Sequence, residues 1–370
     1  MEKRNGNPFS GTKRILIRSP NWVGDAVMSL PAVSSICREF PDAHVVILAK
    51  PWVGDLFREH PGIRKVIPYR SPGVHEGIRG RWRLSRELKR ERFDIALHLP
   101  NSLESALISF LAGIPRRAGY NTDGRGIFLT HRVPVNGKVK QRHQVEYYLH
   151  LVQSLGIEAA QRVPYLQISR ERIEEAKGIL QLLSAGSGPF VGISPGAQYG
   201  SAKEWFPDRF GELARRISGE MGARLLILGS AGDRKAASRI GEIAGPAALD
   251  LCGKTTLAQA LALISLCRVF VTNDSGLMHA ASALSIPLVA IFGSTDPTRT
   301  GPLGGNSHVV HKPLPCAPCL KTECPRNREC MEAITVEEVL GKVKELWGLG
   351  DKREKPIPKF ESDESYVKRE

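Results

Sequence analysis

The chain has 370 residues, of which 42% are hydrophobic and 24% are charged, and its formal net charge is +14 at pH 7. This length favours two domains, and no apolar run approaches the roughly 18 residues that a membrane-spanning helix needs. The positive charge favours acidic partners, which include nucleic acid, anionic lipid and phosphorylated substrates.

Residues 1–12 are predicted to form a flexible arm. The segment is charged but lacks the apolar core of a signal peptide. We therefore expect a cytoplasmic protein in which the seven cysteines are reduced thiols.

Strands and helices alternate through the first half of the chain. The spacing of apolar residues predicts strands at 14–18, 45–49, 66–67 and 94–99, each followed by a helix or turn. Pro31 lies inside the first predicted helix and should bend it, because proline removes a backbone hydrogen bond. Residues 81–92 are predicted to be a basic helix. A connection rich in glycine and arginine joins the predicted helices 103–112 and 143–155.

The alternation begins again after the linker candidate 184–189. Strands are predicted at 190–194, 224–228, 268–272 and 288–292, and a last helix at 334–346. This pattern predicts an α/β fold with parallel sheets covered on both faces. We divide the chain into an N-terminal Rossmann-like domain (13–183), a C-terminal Rossmann-like domain (184–346) and a charged, disordered tail (347–370). The two sheets should face each other across a cleft, with ligands outside the carboxyl ends of the strands.

Three predicted turns between a strand and a helix carry residues suited to chemistry. The first contains Trp22, Gly24 and Asp25. A helix N-terminus stabilises an ionised carboxylate, so Asp25 should be charged at neutral pH and able to accept a proton. The alternative from the residues alone is that Asp25 only caps the helix.

The second turn contains Gly196, Ala197 and Lys203. Glycine lets the backbone approach a ligand, and a lysine ammonium suits phosphate, although a lysine before a helix is usually just solvated.

The third turn contains Asp274, Ser275 and Gly276, with His279 on the first turn of the following helix. Backbone N–H groups and the helix dipole make this turn suitable for an anion. The alternatives are that Asp274 or Ser275 caps the helix and that His279 is a core residue.

Together the three motifs, PNWVGD at 20–25, PGAQYGSAKEW at 195–205 and TNDSGLMH at 272–279, resemble those of the bacterial ADP-heptose:lipopolysaccharide heptosyltransferases. The resemblance covers about residues 13–346. It implies a two-domain GT-B fold and inverting transfer of heptose from ADP-heptose to the inner core of lipopolysaccharide, onto a lipid A-Kdo-heptose acceptor. The resemblance implies that this reaction requires no cofactor. Whether a divalent cation takes part is left open.

The resemblance also implies roles for residues of the three turns. Asp25 matches a catalytic base, and we assign Trp22 and Gly24 beside it to acceptor binding. Lys203 is expected to contact the donor diphosphate and to act in catalysis. The other residues assigned to donor binding are Gly196, Ala197, Asp233, Asp274, Ser275, Gly276 and His279. We place Asp233 at the nucleotide ribose, and Asp274 near the sugar hydroxyls or as a cap.

Two competing functions are a nucleotide-sugar epimerase of similar architecture and a basic nucleic-acid-binding protein. The first would need a second acid or base group, and none is clear. The second would need exposed aromatics among the basic residues, and Arg79–Arg92 contains only Trp82. We therefore expect no nucleic acid as partner.

Four cysteines, Cys316, Cys319, Cys324 and Cys330, raise the question of a metal site. Their spacing is not that of a standard pair of CxxC motifs. Reduced thiols are the default interpretation, with a metal as the alternative, and we assign no metal ligands.

The basic N-terminal half is expected to hold the enzyme against the anionic inner face of the inner membrane, where its lipid-anchored acceptor would lie. A merely solvated basic helix at 81–92 is the alternative.

Overall fold

The computed structural model describes residue 9 and residues 11–186, 188–304 and 306–349. These residues form two parallel sheets, as predicted, but each sheet has six strands where four were predicted, because 116–120, 131–133, 248–250 and 307–311 are also strands. Alternate residues of each strand enter different cores: Ile15 and Ile17 pack on one face of the first sheet, and Leu16 packs on the other. Each sheet is therefore buried on both faces, which is typical of parallel sheets covered by helices.

The first half begins with a strand of three buried apolar residues between two arginines. Its elements are β1 (Arg14–Arg18), α1 (Val23–Met28), α2 (Leu30–Glu39), β2 (His44–Ala49), β3 (Lys65–Pro68), α3 (Gly77–Arg90), β4 (Ile95–His98), α4 (Leu103–Leu111), β5 (Arg116–Tyr120), β6 (His131–Val133), α5 (Gly137–Lys140) and α6 (Gln144–Ser154). The predicted effect of Pro31 is confirmed, because the helical segment breaks at Ser29 and resumes as α2 with Pro31 in its first turn.

The second half repeats the alternation of strands and helices. Its elements are α7 (Arg170–Leu182), β7 (Phe190–Ser194), α8 (Pro207–Met221), β8 (Arg224–Ile227), α9 (Arg234–Ala244), β9 (Ala248–Asp250), α10 (Leu257–Ser265), β10 (Cys267–Asn273), α11 (Gly276–Ala283), β11 (Leu288–Phe292), α12 (Pro297–Thr300), β12 (Ser307–His311), α13 (Glu329–Glu332) and α14 (Val336–Trp347).

The two sheets have the same strand order relative to the chain. The first runs β3-β2-β1-β4-β5-β6. The second, read from the other edge, runs β9-β8-β7-β10-β11-β12, so corresponding strands of the two halves occupy the same positions. This is the order of a dinucleotide-binding α/β fold. The order in which strands are added across the sheet reverses between β1 and β4 in one sheet and between β7 and β10 in the other. The turns of Asp25, Lys203 and Asp274 follow β1, β7 and β10, so all three predicted site turns lie at these switch points.

Four sequence-based expectations differ from the structure. The connection between α4 and α6 contains two strands, β5 and β6, which were not predicted because their residues are polar or glycine-rich. Helix α7 was not predicted, and although its residues lie within the bounds given to the first domain, it packs Ala176 and Leu180 into a core of the second half. Phe9, expected in a flexible arm, is fully buried in the first core. Trp347, expected in the tail, ends α14 and lies under the Arg268 guanidinium.

The remaining predictions for the two ends lie outside the described residues. They concern residues 1–8 and 10 of the arm and residues 350–370 of the tail. Among the described residues, no helix is both long and apolar enough to cross a bilayer.

Candidate functional site

Asp25 lies in the first turn of α1 but does not cap it. The N-cap is Trp22, which makes no side-chain capping bond, whereas the Tyr148 hydroxyl of α6 donates a hydrogen bond to the Asp25 carboxylate. Burial raises the pKa of Asp25 to about 6, while the Tyr148 hydrogen bond and the charge of Lys203 oppose the shift. Desolvation of the carboxylate therefore outweighs the stabilisation that a helix N-terminus gives to its charged form. Asp25 is nevertheless ionised at neutral pH, as predicted.

Lys203 is buried rather than solvated. Its Nζ donates a hydrogen bond of 2.5 Å to Oδ2 of Asp274, and the same oxygen accepts a hydrogen bond of 2.6 Å from Thr295 Oγ1. Lys203 also lies 4.8 Å from the ring centroid of Tyr199. The second and third predicted turns are therefore joined by a buried ion pair.

Asn273 fixes these two turns to each other. Its Oδ1 accepts a hydrogen bond of 3.0 Å from the backbone N–H of Trp205, and its Nδ2 donates one of 2.5 Å to the carbonyl of Pro195. Trp205 is fully buried and donates its indole N–H to Ile334 O at 3.1 Å. The short segment before α8 is thus held rigidly against the end of β10, which positions Lys203.

Ser275, not Asp274, is the N-cap of α11. The Ser275 hydroxyl accepts a hydrogen bond of 3.4 Å from Met278 N–H. This leaves the backbone N–H groups of Gly276 and Leu277 at the first turn of the helix, where no intrahelical acceptor exists. The interpretation of Asp274 as a cap is wrong, because its carboxylate is used by Lys203 and Thr295.

The first turns of α1 and α11 touch across the two halves. A Cβ added at Gly24 would lie 2.9 Å from Cδ2 of His279, and one added at Gly276 would lie 2.8 Å from Cβ of Val23. Both glycines therefore allow close contact between the halves. Asp25 consequently lies beside the third turn, although the two are far apart in sequence.

His279 is buried at this contact. Burial lowers the pKa of His279 to about 4, and Asp274 opposes the shift. The imidazole is therefore neutral at physiological pH and can offer one N–H to a ligand rather than a positive charge.

Gly196 and Asp233 are brought together at the ends of β7 and β8. A Cβ at Gly196 would overlap the Asp233 carboxylate. Oδ2 of Asp233 accepts hydrogen bonds from the backbone N–H of Ser230 at 2.6 Å and from its hydroxyl at 2.8 Å. Both residues line a cavity of about 1010 Å³, together with Glu204 and Arg328. The neighbouring Ala197 donates its backbone N–H to Glu204 at 3.4 Å.

Three partners in this region were not singled out from the sequence. Tyr148 contacts Asp25, Thr295 contacts Asp274, and Asn273 joins the second and third turns. Asn273 is adjacent to Asp274 and could have been noticed. Nothing in the local sequence distinguishes Tyr148 or Thr295, because only the tertiary fold brings them to the site.

The four cysteines of the C-terminal loop are free thiols. The Cys324 sulfur accepts hydrogen bonds from the backbone N–H groups of Arg326 and Arg328 at 3.4 and 3.3 Å. Within the part of the chain that the structure describes, no three His, Cys, Asp or Glu side chains are grouped so as to hold a metal ion.

Known proteins share both the sequence pattern and the fold. The pattern of glycosyltransferase family 9 (heptosyltransferase) matches residues 81–329. The chain is 35% identical to lipopolysaccharide heptosyltransferase 2 of Escherichia coli (strain K12) over 311 residues, which are 80% of this chain and 87% of that protein. It is 33% identical to lipooligosaccharide heptosyltransferase 2 of Haemophilus influenzae over 307 residues, with 80% and 88% covered.

The solved structure of E. coli ADP-heptose LPS heptosyltransferase II matches this chain with a TM-score of 0.77 at 30% identity. The match covers 91% of this chain and 99% of that one. It confirms the predicted GT-B arrangement of two Rossmann-like sheets. The match to a heptosyltransferase favours a glycosyltransferase over the epimerase of similar architecture. By its sequence pattern, its relatives and its fold, the chain belongs to glycosyltransferase family 9, the heptosyltransferases.

Proposed function

We propose that this enzyme transfers heptose from ADP-heptose to the heptose of the inner core of lipopolysaccharide. The observation that carries the proposal is the contact between the first turns of α1 and α11, since it brings a proton acceptor beside a turn suited to an anion. The relatives are named as lipopolysaccharide or lipooligosaccharide heptosyltransferases 2, which supports the acceptor, and the solved E. coli structure is of an ADP-heptose LPS heptosyltransferase, which supports the donor.

Asp25 is the catalytic base in this proposal. An acceptor hydroxyl attacks the anomeric carbon of the donor from the face opposite the diphosphate, and its proton passes to the Asp25 carboxylate. The new bond joins the acceptor oxygen to the anomeric carbon, and the electron pair of the broken bond leaves with ADP. A base with a pKa of about 6 is ionised at neutral pH yet basic enough to help remove the proton.

The leaving diphosphate needs positive charge and N–H donors on the other side of the anomeric carbon. Lys203 supplies the charge, and the N–H groups of Gly276 and Leu277 supply the donors. A lysine ammonium has three donors. It can therefore bind a phosphate oxygen while Asp274 holds it in place. Neutral His279 contributes an N–H, and Asp233 lies where it could bind the ribose.

The proposal is tested by incubating the protein with ADP-heptose and lipopolysaccharide that carries a single inner-core heptose. We expect stoichiometric release of ADP and a product heavier by one heptose in mass spectrometry. Lipopolysaccharide that lacks heptose altogether serves as the control acceptor and should not react. Transfer to that control, or none to either acceptor, would contradict the proposed acceptor or the proposed activity.

We also propose that α3 holds the enzyme at an anionic membrane surface. Ile78 is 83% exposed and Trp82 is 56% exposed, and the Arg86 guanidinium lies 4.8 Å from the Trp82 ring centroid. The other exposed basic side chains of the helix are Arg79, Arg83, Lys89 and Arg90. Apolar and aromatic groups among basic ones suit the surface of an anionic bilayer, at about 1 kcal/mol for each basic residue near the surface.

Reversal of three charges on α3 tests this contact. The variant Arg83→Glu, Arg86→Glu, Arg90→Glu should bind anionic vesicles more weakly and transfer heptose more slowly to intact lipopolysaccharide. A matched control reverses Arg162, Arg170 and Lys177, which are also exposed, and should keep vesicle binding. ADP affinity should be unchanged in both variants. Equal vesicle binding by the α3 variant and the wild type at low salt would contradict the membrane contact.

A further inference from the structure

Two buried cations at the carboxyl edge of the first sheet have no role in the transfer described above. Arg18 ends β1 and is 4% exposed, and Lys50 follows β2 and is 8% exposed. Both lie over the ring of buried Tyr69, which follows β3, with Arg18 Cζ at 5.2 Å and Lys50 Nζ at 4.2 Å from its centroid. We call Arg18, Lys50, Tyr69, Asn21 and Trp52 the basic pocket.

The acceptors of both cations are neutral. Arg18 donates to the carbonyls of Ser19 and Leu48 and to Oδ1 of Asn21, and Lys50 donates to the carbonyl of Ser71. Among the described residues, neither forms an ion pair. Glu104 is near enough to act on both cations electrostatically, but its carboxylate accepts a hydrogen bond of 2.6 Å from Arg81.

Such an arrangement costs free energy in the unliganded protein. Burial lowers the pKa of Arg18 to about 10, and burial followed by the charge of Arg18 lowers the pKa of Lys50. Two neighbouring buried cations without a carboxylate partner are unusual, because buried charges are normally paired. An anionic ligand would supply the missing partner through charge-assisted hydrogen bonds, for which donors of both side chains are left over.

The position of the basic pocket points to the acceptor rather than the donor. Asn21, which binds Arg18, lies four residues before Asp25, and its carbonyl accepts a hydrogen bond of 3.0 Å from the indole N–H of Trp52. Trp22 and Trp52 are both exposed beside the pocket, and the faces of exposed indoles can pack against the apolar faces of sugar rings. An anionic sugar bound here would lie against the turn that leads from β1 to the proposed base.

We propose that Arg18 and Lys50 form a binding site for an anionic group, a phosphate or a carboxylate, of the acceptor saccharide. This inference deepens the proposed function and rests on it for the identity of the acceptor. The site selects acceptors that carry the anionic group and orients them so that the reactive hydroxyl reaches Asp25.

The test uses Lys50→Met, which keeps the length of the side chain and removes its charge. Lys65→Met is the matched control, because Lys65 begins β3 at the opposite edge of the same sheet and forms an exposed ion pair with Glu91. Affinity for lipid-free inner-core oligosaccharide is measured by calorimetry in the presence of ADP. We expect Lys50→Met to bind about 10- to 100-fold more weakly than the wild type, and Lys65→Met to bind normally.

Two modified acceptors identify the anionic group. One is treated with phosphatase, and the other has its carboxylates reduced to alcohols. If the pocket binds phosphate, the wild type and Lys50→Met should have equal affinity for the first; if it binds a carboxylate, they should have equal affinity for the second. A difference that survives both treatments, a Lys50→Met variant that binds like the wild type, or an equal loss of ADP affinity would overturn the proposal.

A second readout separates this site from the proposed function. Inorganic phosphate, titrated into the free protein, should change tryptophan emission saturably, because Trp52 lies 5.7 Å from Lys50 Nζ. The change should be absent from Lys50→Met and from Trp52→Phe. If the wild type transfers no heptose but shows this change, the proposed function fails and the anion site stands. If the emission of the wild type responds neither to phosphate nor to acetate titrated in the same way, the anion site fails whatever the transfer assay shows.

Discussion

The two halves of the molecule have the same strand order but different charge chemistry at their switch points. In the C-terminal half, the cation Lys203 is already paired with Asp274 and held by hydrogen-bonded turns. In the N-terminal half, Arg18 and Lys50 have only neutral acceptors, and Asp25 is held by a tyrosine hydroxyl. The same strand order therefore presents a cation with a carboxylate partner in the C-terminal half. In the N-terminal half it presents two cations that form no ion pair among the described residues, and a proton acceptor.

This difference suggests that the two halves have different roles in the transfer. A buried lysine that is already held by a carboxylate is fixed in place before the substrate arrives, which suits stabilisation of a leaving group. A partly buried carboxylate of raised pKa suits proton transfer. Variants at Asp25 should therefore affect the chemical step, variants at Arg18 or Lys50 acceptor binding, and variants at Lys203 nucleotide binding.

The largest expected effect comes from Asp25→Asn. Loss of the proton acceptor should lower kcat by about 10²- to 10⁴-fold. ADP affinity should change little. The kcat and the ADP dissociation constant are measured with the same preparation, and near-normal turnover would show that Asp25 is not the base.

The stability of this variant serves as its control. Folding raises the pKa of Asp25 from 3.8 to about 6. The carboxyl therefore stabilises the folded state below about pH 4, and this contribution is lost as the pH rises through about 6. At pH 7 the wild type holds an ionised, partly buried carboxylate that asparagine removes. The melting temperature of Asp25→Asn at pH 7 should thus equal or exceed that of the wild type.

A smaller effect is expected from Lys203→Ala. ADP should bind about 10- to 100-fold more weakly, because the diphosphate loses a charged donor, whereas adenosine should bind as before. Lys254→Ala is the matched control, since Lys254 forms a surface ion pair with Asp250 in the same half. Equal losses for ADP and adenosine would place Lys203 away from the diphosphate.

Removing one member of a buried ion pair also destabilises a protein, by about 3–5 kcal/mol. The double variant Lys203→Met, Asp274→Asn avoids an unpaired buried carboxylate. It should regain most of the melting temperature that the single variant loses. ADP affinity should stay low in the double variant, and recovery of affinity together with stability would mean that Lys203 is purely structural.

The sequence located the three site turns because strand ends in a parallel sheet can be recognised locally. The bounds of β1 and β7 agree with the predicted strands, since both are runs of apolar residues. The polar strand β5 was missed, because its residues give no such signal and only its neighbours β4 and β6 define it. Helix α7 was not predicted, and the boundary at the linker candidate put its residues in the first domain, because the contacts of its apolar face with the second half form only in the folded chain.

The electrostatics of the site could be predicted less well than its position. The helix N-terminus predicted an ionised Asp25, but the sequence did not show that burial raises the pKa of this carboxyl to about 6. Lys203 was expected either to contact phosphate or to be solvated, and its pairing with Asp274 depends on two turns that meet only in the folded chain. Arg18 was predicted only as the end of a strand, because the sequence does not show that its partners are neutral.

The smallest expected effect concerns pH. If Asp25 must be ionised to accept a proton, kcat/KM should fall about tenfold for each pH unit below about 6 and level off above it. Tyr148→Phe removes a hydrogen bond that holds the pKa of Asp25 down, so its acidic limb should move to higher pH and its rate at pH 7 should fall modestly. The profile of kcat/KM between about pH 5 and pH 8 measures both effects. The residual activity of Asp25→Asn should lack this limb, because the variant has no carboxyl to titrate at that position. If the acidic limb persists in Asp25→Asn, or stays at the same pH in Tyr148→Phe, another group titrates. The N-terminal half would then lack the proton acceptor that distinguishes it from the C-terminal half.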